Sequence, residues 1–129
     1  MLKKGILNPA INELLSRIRH TNTLVIADRG FPFWPMVETI DISLIDDLPT
    51  VIQVFNSIRS NFEIGHIFKA EEFREVNAQG IVEIFMDATR GIDIHFEPHG
   101  TFKKRVPQAI GLIRTGDIIP YANLIIESA

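Results

Sequence analysis

Six residues of this chain deserve a chemical reading first, because they carry or flank groups that move protons or hold hydroxyls. His20 and His99 are imidazoles, which titrate near neutrality and serve as general acids or bases. Asp28 offers a carboxylate. Tyr121, Ala122 and Asn123 close the stretch "RTGDIIPYAN" (114–123), with a phenol and a carboxamide one residue apart. A hydroxyl both donates and accepts, and a carboxamide does so with separate atoms. The pair therefore either grips a hydroxylated ligand or is the remnant of a tight turn.

The other three have plain alternatives too. His20 falls near the end of the first helical pattern, where an imidazole is favoured by the helix macrodipole, and spacing by itself favours that reading. Asp28 ends an apolar strand, so it is an active-site group or the cap of the next loop, with equal weight. His99 follows Pro98 and opens a short helix. His66 and His95 fall inside strand-like runs and are assigned no chemistry. No His-Glu-x-x-His spacing exists, so no metal is expected. Neither G-x-G-x-x-G nor a Walker pattern is present, and no serine or cysteine nucleophile signature appears. An enzyme with this inventory would be cofactor-free and would work by proton transfer. Phe31, Phe33 and Trp34 crowd the loop "FPFWP"; they plug a core edge, form a subunit contact, or line a pocket against the apolar C–H face of a sugar ring.

These groups need a scaffold. Asn8 caps a helix that starts at Pro9 and presents Ile11, Leu14, Leu15 and Ile18 on one face, ending near Arg19-His20. "TLVIA" (23–27) is a continuous apolar strand of the kind covered on both sides. Residues 38–43 alternate as a second strand, and Pro49 opens a helix with Val51, Val54, Phe55 and Ile58 inward. A strand over 65–70, a helix over 78–89, a strand over 92–96, a short helix over 100–106 and strands over 109–113 and 123–127 complete the pattern. Strands alternating with helices predict a three-layer α/β/α domain with a mostly parallel or mixed central sheet, a single domain over 1–129. Ligands of such sheets sit beyond the carboxyl ends of strands, which is where Asp28 and His99 fall.

Composition excludes several classes. The 129 residues include no cysteine, which rules out disulfides and cysteine zinc sites. With 46% hydrophobic residues the chain can build a core without such staples. A net charge of −3 with scattered basic residues argues against nucleic acid as a partner. "MLKKGILNPAINELL" is not an unbroken apolar segment, and the longest apolar runs are too short for a bilayer, so no membrane partner and a cytoplasmic location are expected.

Four segments then line up in order along essentially the whole chain. "KKGILNPAINELLSRIRHTNTLVIAD" (3–28), "KAEEF" (69–73), "PHGTFK" (98–103) and "RTGDIIPYAN" resemble the D-ribose pyranase family, which is related to the fucose mutarotases. The resemblance implies that a pyranose sugar opens and recloses as a furanose, most specifically D-ribose. It implies His20 as proton donor, with Asp28, His99, Tyr121, Ala122 and Asn123 contacting the sugar, and no cofactor. It also implies a homo-oligomer, a pentamer or a decamer of stacked five-membered rings, with the sugar near a subunit contact. The alternatives are a non-catalytic sugar-binding or transport-accessory protein, or a mutarotase for another sugar such as fucose. Arg29 stands where the family usually has a small residue, "FPFWP" is bulkier than the usual loop, and Asp117 replaces a common glutamate. For Arg29, a salt bridge is favoured over a contact with an acidic sugar.

Overall fold

The computed structural model describes all 129 residues. Helix α1 (Pro9–Arg17) starts as its sequence dictates: the Asn8 side chain accepts the Ile11 N–H at 3.0 Å, and Pro9 occupies the first turn. It stops earlier than expected, because Ile18 is already extended (φ −72°, ψ 134°). His20 thus lies in the turn before β1 (Thr23–Ala27), beside Thr21 at φ +63°, and not in a last helical turn. The macrodipole reading of His20 is corrected accordingly.

β2 (Thr39–Asp41) is shorter than the alternating run that announced it. Helix α2 (Val51–Arg59) begins after Pro49, because Thr50 and Gln53 form a reciprocal capping box. β3 (Ile64–Ala70) leads into α3 (Glu72–Val76), a helix too short to leave a periodic signal. Then follow α4 (Gln79–Ala88), β4 (Asp93–Glu97), α5 (His99–Arg105) with a 3-10 turn over Val106–Gln108, β5 (Gly111–Arg114) and β6 (Leu124–Ser128).

The six strands form one sheet in the order β2-β5-β1-β6-β3-β4. Five run parallel, and β6 runs against both its neighbours, β1 and β3. The sheet is therefore mixed, within the α/β expectation. Strand alternation sends Leu24, Ile26, Ile67, Ile113, Leu124 and Ile126 into one core with α1, α2, α3 and α4. Val25, Ala27, Leu112 and Ile125 point the other way, onto Phe102 of α5, Val106, Phe31 and Val37. Phe55 is fully buried in the larger core. Phe55→Ala should cost about 3–5 kcal/mol, read as a lowered urea midpoint at unchanged slope.

This topology decides which groups can meet. Asp28 follows β1 and His99 follows β4, so both lie at the carboxyl edge of the parallel strands. Asn123 precedes the reversed strand β6, which starts at that same edge. His20 precedes β1 and lies at the opposite edge.

Candidate active site

Asp28, Gly30, Phe31, Pro32, His99, Pro120, Tyr121 and Asn123 line one cavity of about 260 Å³. That is just under the ~300–1,000 Å³ of pockets that take drug-sized molecules, a size suited to one monosaccharide ring. Four of the expected site residues are thus brought together. Ala122 is fully buried and is not part of the cavity lining.

Each wall is held by backbone chemistry. The Asp28 N–H donates to Asn123 Oδ1 at 2.7 Å, stitching the end of β1 to the start of β6. This uses one of the two lone pairs of the carboxamide oxygen. Asp28 Oδ1 accepts the Gly30 N–H at 2.9 Å, so the carboxylate caps its loop and lines the cavity at once. The loop over 28–32 is gripped by the Arg114 guanidinium, which donates to the carbonyls of Asp28, Arg29, Phe31 and Pro32 at 2.6–3.3 Å. Phe31 is buried and forms wall, whereas Phe33 is 70% exposed; the aromatic loop is divided between core and surface. Arg29 pairs with Asp46 at 2.6 Å on the surface rather than with Asp28. Such an exposed pair contributes at most about 1 kcal/mol.

Tyr121 adopts φ +56°, a left-handed conformation that a non-glycine residue holds only when its surroundings enforce it. The turn reading of "RTGDIIPYAN" and the ligand reading therefore coexist: a strained turn presents the phenol. Its ring meets the His99 imidazole edge-on, with centroids 5.0 Å apart. His99 also stacks on Phe102 and faces the edge of Phe31. The two oxygens of Glu72 accept the His99 N–H at 3.0 and 3.1 Å, which anchors the start of α5. The His99 ring lines the cavity, and its Nδ1 is buried without a partner.

Burial shifts the charged groups. Desolvation lowers the His99 pKa, aided by the Lys103 ammonium and opposed by Glu72 and Asp28, so the neutral imidazole is the working form. Desolvation raises the Asp28 pKa against the hydrogen bonds from the Gly30 and Phe31 amides, while Asp117 adds a like charge that also raises it. A carboxyl whose folded pKa lies above 3.8 stabilises the fold most below that pH and loses this contribution as pH rises through the folded value. Asp28→Asn should therefore gain thermal stability over the parent as pH rises from 3.8 to neutrality; melting curves across that range with a constant difference would contradict the assignment. His99 acts with the opposite sign, holding its contribution above pH 6.5 and losing it as pH falls through the lowered folded value.

Three supporting residues escaped the sequence reading. Arg114 and Glu72 act on backbone at long sequence separation, which spacing does not reveal. Lys69 does leave a signal: it follows Ile67 at strand period, so it must point into the larger core. It lies beneath Tyr121–Asn123, 1% exposed. His20 is absent from the cavity. The five residues of β1 separate it from Asp28 by roughly 16 Å at the usual strand rise.

A model of the RbsD / FucU transport protein family matches residues 1–129. The chain is 39% identical over 128 residues to the D-ribose pyranase of Geobacillus kaustophilus, covering 99% of this chain and 93% of that one. It is also 39% identical to the D-ribose pyranase of Halalkalibacterium halodurans, covering 99% and 97%. Bacillus subtilis RbsD, solved in complex with D-ribose, superposes with a TM-score of 0.92 at 30% identity over 100% of this chain and 98% of that one. A Streptococcus pneumoniae fucose mutarotase in complex with L-fucose shares the fold, with a TM-score of 0.83 at 19% identity over 99% and 98%.

Proposed function

The chain belongs to the RbsD / FucU transport protein family, and from that premise we propose that it is a cofactor-free isomerase interconverting the pyranose and furanose forms of a monosaccharide, with D-ribose as substrate. The observation that carries the reading is the convergence of Asp28, His99, Tyr121 and Asn123 on one monosaccharide-sized cavity. In this reading residues 1–129 act as a single mutarotase domain.

The reaction needs little from the protein beyond placed proton carriers. A proton reaches the ring oxygen, another leaves the anomeric hydroxyl, and the bond between the anomeric carbon and the ring oxygen breaks to give the open aldehyde. A different hydroxyl then adds to that aldehyde, and the two proton transfers run in reverse. The neutral His99 imidazole and the Asn123 amide donate to sugar oxygens, and the Asp28 carboxylate accepts from a hydroxyl. The Tyr121 phenol donates or accepts, and the Phe31 ring covers an apolar face of the sugar.

The remaining role, proton donor, falls to His20. A single protomer keeps His20 at the far edge of its sheet, so the donor must come from a neighbouring copy that docks this edge against the cavity. That requirement supports a homo-oligomer, for which we propose the decamer of stacked five-membered rings. Dissociated protomers would bind sugar without turning it over. The same reading puts the enzyme in the cytoplasm; recovery from a membrane or exported fraction of the source cells would count against it.

Exchange NMR tests the assignment directly. With D-ribose, added protein should broaden the pyranose and furanose signals through faster interconversion. Unchanged lines with ribose and with fucose would end the proposal.

A further inference from the structure

Lys69 is buried in the larger core beneath the catalytic edge, and it enters no ion pair. Its Nζ lies 3.2 Å from the Tyr121 carbonyl oxygen, 3.2 Å from that of Ala122 and 3.4 Å from that of Asn123. An ammonium has three donors, so three consecutive carbonyls take all of them and none is left for a ligand. A neutral amine would bring its lone pair against one of those oxygens, so the fit selects the charged form. The rings of Phe73 and Phe85 lie 3.7 and 4.7 Å from Nζ and supply the rest of its surroundings. Burial presses the pKa of this group well down, with the Asp117 and Asp28 charges acting the other way. A core that needed only volume here would hold methionine or leucine at lower cost.

Three carbonyls turned toward one point repel each other, and the turn they belong to holds Tyr121 in a left-handed conformation. We propose that Lys69 is a positioning residue of the sugar site: its ammonium gathers the Tyr121, Ala122 and Asn123 carbonyls, and so fixes the phenol and the carboxamide against Asp28. This rests on the mutarotase reading for the identity of the ligand, but not for the clamp itself.

The chain offers clean reporters. Tyr121 is its one tyrosine, and there is no cysteine. Protein labelled with 3-fluorotyrosine should give a single fluorine resonance that shifts on adding D-ribose. Lys69→Met should keep its circular dichroism and assembly size, yet display a displaced or multiple resonance, and its KM for ribose should rise about tenfold or more with a smaller change in kcat. Lys69→Cys, alkylated in denaturant with 2-bromoethylamine and refolded, regains an ammonium at the same reach and should recover the parent resonance and KM. The same variant alkylated with iodoacetamide should not. A parent-like resonance and KM in Lys69→Met, or equal rescue by the neutral reagent, would overturn the proposal. If the parent itself neither responds to ribose nor catalyses, the mutarotase reading fails, while the resonance of Lys69→Met still decides whether the clamp exists.

Discussion

His20→Ala should slow pyranose–furanose exchange by about 10²–10⁴-fold, the usual contribution of one placed acid–base group, while ribose still shifts the melting temperature. The cavity groups that hold the sugar do not include His20, so binding and turnover should separate cleanly. The separation can be pushed further, because His20 and Asp28 lie at opposite edges of one sheet. Asp28→Ala removes the cavity carboxylate and should be inactive by itself. If each site joins the His20 of one copy to the Asp28 of another, co-refolding equal amounts of the two inactive variants should restore about one quarter of the parental activity by random assortment in a symmetric assembly. No recovery in mixed assemblies would overturn a site shared between copies.

Gly116→Ala should be among the most damaging small substitutions. A Cβ at this position would lie 2.9 Å from the Leu48 carbonyl oxygen and nearer still to that of Ile45. Those are backbone atoms, fixed by the hydrogen bonds from Asp47 N–H to the Gly116 carbonyl and from Gly116 N–H to the Pro49 carbonyl. Crowding against backbone cannot relax by a rotamer change, so the cost should reach or pass the top of the ~1–3 kcal/mol range of overpacking. The melting temperature should fall by about 10 °C or more. The neighbouring Asp117 carboxylate holds the Val51 and Ile119 N–H groups at 2.9 Å, and its carbonyl receives the Arg29 N–H. Displacing Gly116 should therefore disturb the start of α2 and the Asp28 loop together, and sugar binding should fail along with stability. A variant that melts like the parent would show that the 45–48 loop is free to move aside.

Much of this architecture is legible in the residues. β1 coincides with its apolar run, and α1, α2 and α4 carry caps or periodic faces that announce them within a few residues. What escaped did so for physical reasons. Helix α3 has five residues, less than two turns, so no face can repeat. β2 keeps only three ladder residues of a six-residue alternation, because register is set by β5 and not by its own pattern. The site was half legible. The order of strands brings Asp28, His99 and Asn123 to one edge, and an apolar strand ending in a carboxylate hints at that. The hydrogen bond from the Asp28 amide to Asn123 Oδ1 spans 95 positions, which no local pattern encodes. His20 is eight positions from Asp28, but β1 lies between them as a spacer, so one protomer holds the two at opposite edges of the sheet.

The strand order also governs when the molecule can exist at all. β1 is flanked only by β5 and β6, and β6 alone joins it to the β3-β4 pair. A nascent chain emerging from a ribosome therefore carries β1 with both edges bare until β5 and β6 have been translated. Contacts of such long sequence separation form slowly. The final strand is a keystone that arrives last, and Asn123 at its threshold means that no half-made molecule has a finished binding site.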